Sequence, residues 1–214
     1  MITQKSLRSQ IIEVVWQLII DGKIKPNEPL REIHLADMLN VSRTPLREAL
    51  QQLELEGIVK SEPRKGFRLS DLSEEELKEI YPLRAKLESY ALELSGIPSP
   101  EQIDELISIN HKMDTSNDPK ELVELDEIWH GLLISNCKNK SLMKMIKMLH
   151  RQSQRYEYAY MDFGNMVKFS ISQHAGIIEY LKKGQLKEAS ILFAENNMVG
   201  MDALINSLKL KHNN

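Results

Sequence analysis

The sequence predicts a mostly α-helical protein in two parts: an N-terminal winged helix-turn-helix over residues 1–72, then an antiparallel bundle of about six helices over 73–214. Three observations point there. Apolar residues recur at helical spacing along most of the chain. Two short stretches rich in β-formers break this pattern, both between residues 58 and 69. The charge balance changes at the same place: residues 1–70 carry 11 Lys+Arg against 9 Asp+Glu, net +2, and the remainder 17 against 22, net −5. The whole-chain charge of −3 conceals a modest basic module ahead of an acidic one.

Taken in order, Leu7, Ile11, Val14 and Leu18 repeat at helical spacing through residues 7–20, and Gly22 follows as a stop. After the loop KIKPNEP, Leu35, Ala36 and Leu39 support a short second helix closed by Asn40. A third helix starts at Ser42 or Thr44, with Pro45 in its first turn, where a missing N–H costs little. It turns Leu46, Ala49, Leu50 and Leu53 inward and ends before Gly57. The stretches Ile58-Val59-Lys60 and Phe67-Arg68-Leu69, separated by Pro63-Arg64-Lys65-Gly66, read as a hairpin with a basic tip.

Beyond a linker near 70–73 the pattern is helical throughout. Ser73 and Glu76 have capping-box spacing, Leu77, Ile80, Leu87, Ala91 and Leu94 form a stripe, and Pro82 marks a kink. Ser99-Pro100 with Gln102, and Asp118-Pro119 with Glu121, open two more helices. Periodic runs cover 142–160, 167–181 and 186–208, broken at Phe163-Gly164-Asn165 and at Gly184.

The composition, 42% hydrophobic and 28% charged, is that of a folded soluble chain. The single Cys137 excludes an intramolecular disulfide and suggests a reducing compartment, so the expected location is cytoplasmic. There is no signal-peptide pattern and no run of about 18 apolar residues, so neither secretion nor membrane insertion is expected.

Two constellations carry chemistry. On the third helix Arg43, Arg47 and Gln51 recur every four residues on a face away from the leucines. An arginine fork can bond guanine O6 and N7 together or clamp a phosphate; Ser42 and Thr44 can reach backbone oxygens, and Arg64, Lys65 and Gly66 offer a basic wing. In the bundle, Arg84 falls on an apolar stripe and needs a partner, either Glu88 one turn on or the carboxylate of a bound metabolite. Asp126 and His130 lie four apart on one helix, while His174 and Asn196 fall in register with apolar residues of two others. Such a set is either a hydrogen-bonded polar core or a divalent-metal site.

The run LREIHLADMLNVSRTPLREALQQLELEGIVKSEPRKGFRLS resembles the winged helix-turn-helix of the GntR family of bacterial transcription regulators over residues 22–69. The resemblance implies DNA contacts from Arg43, Thr44 and Arg47 and places Gly66 at the wing tip near the minor groove. Some members carry an arginine where this chain has Ile33, which implies loss of that contact, although Arg31 lies nearby. Residues 73–208, with YPLRAKLESYALELS, the Asp126-x-x-Trp129-His130 motif, NCKNKSL, residues 172–179 and KKGQLKEAS, resemble the FCD-type ligand-binding domain of the FadR subfamily. Many members bind a divalent metal through an Asp and three His, and hold a carboxylate effector with the metal and an arginine. The matching ligands are Asp126, His130 and His174; the fourth position is Asn196, a harder donor, which leaves the ion open among the zinc, nickel and manganese class.

The expected function is a homodimeric regulator on a near-palindromic double-stranded operator, its affinity set by a small carboxylate in the helical domain. The alternatives are a regulator for which the metal itself is the signal, and a metal-dependent enzyme. The enzyme reading lacks an evident general base and leaves the DNA module unexplained.

Overall fold

The computed structural model describes residues 6–26, 28–160 and 164–212, with side chains except at 164–169 and 211–212. Phe163 and the side chain of Val167 lie outside the described residues. The chain divides into two compact units between Leu72 and Ser73.

The first unit runs α1 (Leu7–Ile20), β1 (Pro29–Leu30), α2 (Glu32–Leu39), α3 (Arg43–Leu55), β2 (Val59–Glu62) and β3 (Gly66–Leu69). The sheet has antiparallel order β1-β3-β2, with Leu30 opposite Phe67 and Glu62 opposite Gly66. Strand β1 is absent from the sequence reading because two residues beside prolines show no alternation; Pro29 is tolerated because β1 is an edge. In α1 the buried residues are Ile11, Ile12, Val15, Trp16 and Ile19, whereas Leu7 and Val14 of the expected stripe are exposed. Apolar residues surround this helix, so more than one stripe satisfies helical spacing. In α3, Leu46, Ala49, Leu50 and Leu53 are completely buried, as their spacing predicts. Ser42 is the N-cap, but its hydroxyl makes no cap hydrogen bond. The wing tip is Pro63-Arg64-Lys65, with Arg64 in the left-handed region at φ 67°. Gly66 is the first residue of β3, beside the tip rather than on it. Its φ of 84° is what requires glycine, since an added Cβ would meet only Leu30 O at an ordinary 3.8 Å.

The second unit comprises, among the described residues, six helices: α4 (Glu74–Ser95), α5 (Pro100–Thr115), α6 (Pro119–Leu133), α7 (Lys140–Ala159), α8 (Gly164–Lys182) and α9 (Leu186–His212). They pack in a closed cycle, α4 on α7, α7 on α6, α6 on α5, α5 on α8, α8 on α9 and α9 on α4. Trp129, Leu106, Leu133, Ile177 and Phe193 lie in the apolar core. Helix α4 continues through Pro82. It buries Leu77, Ile80, Tyr81, Arg84, Ala85, Glu88, Ala91 and Leu92, while Leu94 of the expected stripe is exposed.

The capping boxes differ. Ser99 and Gln102 form the full reciprocal pair. At α4, Ser73 Oγ accepts from Glu76 N–H, but the Ser73 N–H donates to the Tyr156 hydroxyl, 3.0 Å away, which in turn donates to the Glu76 carboxylate. A buried tyrosine of α7 thus closes the box and ties the start of α4 to the bundle. At α6, Asp118 accepts from Lys120 N–H and Glu121 turns to Ser116 instead. Among the described residues no helix is long and apolar enough to cross a membrane.

Candidate functional site

In the first unit, Ser42, Arg43, Thr44, Arg47 and Gln51 are all exposed on α3, opposite its buried leucines. Neither Arg43 nor Arg47 is in an ion pair among the described residues, so both guanidinium forks are unspent. Arg64 and Lys65 are exposed at the wing tip. Lys65 lies 3.4 Å from Glu62, and Glu62 also takes Arg68 Nε at 2.6 Å. With its lysine 78% exposed, the Lys65–Glu62 pair contributes little and leaves the lysine available. Ile33, where an arginine was the alternative, is 56% exposed.

In the second unit a cavity of about 690 Å³, counting its open mouth, lies among the helices, lined by Tyr81, Arg84, Asp126, His130, Glu157, Asn196 and Asn197 with apolar neighbours. His174 lies beside it, stacked on Trp129 with ring centroids 3.7 Å apart. His130 Nδ1 donates to Glu88 Oε2 at 2.9 Å, so its Nε2 is the free nitrogen; that atom lies 3.6 Å from Asp126 Oδ2. Asn110 donates its amide N–H to Ile171 O, which turns its Oδ1 to accept from His174 Nδ1 at 3.3 Å. His174 Nε2 is then 3.6 Å from Asp126 Oδ1.

One ligand atom from each of Asp126, His130 and His174 lies within 4.8 Å of the others. The 3.6 Å separations are too long for hydrogen bonds and short enough for a shared ion. Each imidazole has its outer nitrogen fixed by a protein oxygen, the support that metal-ligating histidines ordinarily have. These residues fit a divalent ion. Asn196 donates through Nδ2 to Ser170 Oγ at 3.1 Å and Gln173 Oε1 at 3.0 Å, which leaves its carbonyl oxygen as the donor it can offer.

Glu88 organises this site. It is completely buried; Oε1 accepts from Arg84 Nε (2.7 Å) and His150 Nε2 (2.6 Å), and Oε2 from His130 Nδ1 and Asn197 Nδ2 (3.2 Å). Burial alone would raise its pKa, but Arg84, His150 and the imidazole hydrogen bonds hold it well below the carboxylate range. Burial likewise opposes charge on His130, yet Asp126 and Glu88 outweigh it and raise that group. Burial, reinforced by repulsion from His130, pushes His174 well below the usual imidazole value, so it is neutral and fit to ligate. Burial raises the Asp126 carboxyl.

Arg84 takes the partner one turn along, Glu88, and its Nη1 also donates to Ser153 Oγ (2.8 Å) and Glu157 Oε1 (3.1 Å). The metabolite carboxylate of the alternative reading would find only Nη2 unspent among the described residues. Sequence reasoning missed His150, Asn110, Glu157 and Asn197. A weak signal existed in α7, whose buried face carries His150, Ser153, Gln154 and Arg155, an unusual density of polar groups for a core.

Comparison with known proteins agrees with this architecture. Residues 7–69 match the family described as bacterial regulatory proteins, gntR family, and residues 79–195 match the FCD domain. The Nta operon transcriptional regulator of Aminobacter aminovorans is 34% identical over 167 residues, covering 77% of this chain and 78% of that protein. An HTH-type transcriptional regulator of Bacillus subtilis, YdhC, is 28% identical over 188 residues, 85% of this chain and 83% of its own. Among solved structures, E. coli McbR/YncC superposes with a TM-score of 0.81 at 21% identity, over 95% of this chain and 99% of that one, a likeness of fold. The two curated relatives are described as transcriptional regulators and the N-terminal match is to a family of regulatory proteins, which favours the regulator over the metal-dependent enzyme. With a winged helix-turn-helix carrying unspent arginines, a unit of six described helices enclosing a cavity that several charged side chains line, and matches across both units, the chain belongs to the GntR family of transcriptional regulators, with an FCD domain as its helical part.

Proposed function

We propose that this regulator binds a near-palindromic operator as a homodimer, and that a divalent ion and a small carboxylate in the FCD cavity set its DNA affinity. Arg43, Arg47 and Gln51 read bases, Ser42 and Thr44 contact the backbone, and Arg64, Lys65 and Gly66 form the wing contact. Asp126, His130 and His174 hold the ion, assisted by the Asn196 carbonyl or water, and Arg84 faces the effector. The observation that carries the reading is the convergence of Asp126, His130 and His174, one ligand atom of each lying within 4.8 Å of the others, with Ser170 Oγ as a neighbour of His174 Nε2 at 3.4 Å that an ion would displace. When bound, the ion supplies positive charge that draws in a carboxylate; the imidazoles favour zinc or nickel, and the two oxygen donors favour manganese.

Elemental analysis of protein purified without chelator or affinity-tag metal should find about one ion per chain, and calorimetry on the stripped form should return it. His174→Ala should abolish that uptake. Glu88→Gln, which weakens the support of His130 along with that of Arg84, His150 and Asn197 but leaves the three proposed ligands in place, should weaken it by about 10–100-fold. Protein that neither carries nor takes up an ion would leave a hydrogen-bonded polar core in its place.

A seam on α4 supports the dimer. Leu83, Tyr90 and Leu94 are exposed by 56%, 50% and 45%, and half-buried Leu87 lies between them. Their 4-3-4 spacing is that of a helix that packs on another helix. Light scattering should therefore show a dimer at micromolar concentration, and Tyr90→Glu with Leu94→Glu should produce monomers that hold the operator poorly. Monomers in the parent protein would refute the assembly.

A further inference from the structure

We propose that Glu157 reads the effector, and that the cavity selects a small carboxylate carrying an O–H or N–H donor beside its carboxylate over the plain acid. This rests on the reading that the FCD cavity binds a carboxylate. Glu157 lines the cavity with its side chain 18% exposed. Its Oε1 accepts from the Tyr81 hydroxyl at 2.9 Å and from Arg84 Nη1 at 3.1 Å, whereas no described residue donates to Oε2. Arg84 is already matched by the buried Glu88, so Glu157 is a second carboxylate on one guanidinium. Asn197 also lines the cavity and is buried, and its Oδ1 has no hydrogen-bond partner among the described residues. Apart from the proposed ion ligands, Glu157 Oε2 is therefore an acceptor and Arg84 Nη2 a donor left unspent among the described residues that line the cavity.

A plain aliphatic acid brings only acceptors. Its carboxylate can take Arg84 Nη2, but it leaves the Glu157 charge unsolvated and adds a like charge beside it. A ligand with a hydroxyl or ammonium on the neighbouring carbon satisfies both faces at once: its carboxylate accepts from Arg84 while its donor serves Glu157. A polar site built for such a donor rejects the analogue that lacks it far more strongly than an apolar pocket distinguishes one methylene.

The test is calorimetric titration of the full-length protein with matched trios of three to six carbons: the straight-chain acid, its 2-hydroxy acid and its 2-amino acid. For the parent protein the preferred donor-bearing member of a trio should bind at least about tenfold tighter than the plain acid. In Glu157→Gln the amide oxygen continues to accept from Tyr81 and Arg84, which places an NH2 where Oε2 was; the preference should fall to within about threefold. An unchanged melting temperature would show that the variant is folded, and the parent ratio is decisive by itself. Plain acids binding as tightly as their donor-bearing partners, or a preference that survives Glu157→Gln, would overturn the role of Glu157 and leave the carboxylate reading intact. Failure of every member of the panel to bind would overturn both.

Discussion

Glu88→Ala should destabilise the FCD unit by about 3–5 kcal/mol, read as a lowered midpoint in urea denaturation followed by far-UV circular dichroism. The side chain is completely buried and is the common acceptor for Arg84, His130, His150 and Asn197. Alanine leaves a buried guanidinium short of its nearest counter-charge and three further donors without acceptors, the situation in which breaking a buried pair costs most. Glu157 retains one ion pair to Arg84, which places the effect toward the lower end. A domain of this kind has a total stability of about 5–15 kcal/mol, so the loss should be plain in the melting curve. Glu88→Gln keeps one acceptor in place and should cost less. A change below about 1 kcal/mol in Glu88→Ala would mean that these groups find other partners and that Glu88 is not the organiser.

In the first unit the three helices and the hairpin were legible, because they are strongly patterned and marked by turn residues, whereas the buried face of α1 was not, since Leu7 and Val14 are exposed. The α3 core residues Leu46, Ala49, Leu50 and Leu53 all lie inside, and Asn40 adopts the left-handed conformation expected at the end of α2, with φ 51°. Strand β1 was hidden because its pairing with β3 is a long-range event with no local signature. In the FCD unit the helix starts followed from Ser73, Ser99 and Asp118, but the partners of Glu76 and Glu121 did not, since Tyr156 lies 80 residues from Glu76 and tertiary contact overrides the local rule. The triad proposed to hold an ion was visible in the spacing of Asp126 and His130 and in the register of His174. Its supports were not: Glu88 reaches His130 across 42 residues and Asn110 reaches His174 across 64, and a hydrophobic pattern records neither.

Helix α3 is the element proposed to recognise DNA. Arg43 and Arg47 are exposed, unpaired among the described residues and set opposite a leucine face that is completely buried, so truncating them should leave the fold untouched. Each base-reading arginine is worth about 1–3 kcal/mol, so Arg43→Ala and Arg47→Ala should each weaken binding to the preferred sequence by roughly 5–150-fold. The measurement is a fluorescence-anisotropy titration, at one fixed salt concentration, of a duplex selected by the parent protein from a random pool, alongside a scrambled duplex. The account predicts that the parent protein prefers the selected duplex and that both variants lose most of that preference while binding the scrambled one nearly as before. An equal loss on both duplexes, with a shallower salt dependence, would reassign the arginine concerned to phosphate contact. Full affinity and full preference retained in both variants, at unchanged melting temperature, would contradict the reading of α3 as the element that recognises DNA.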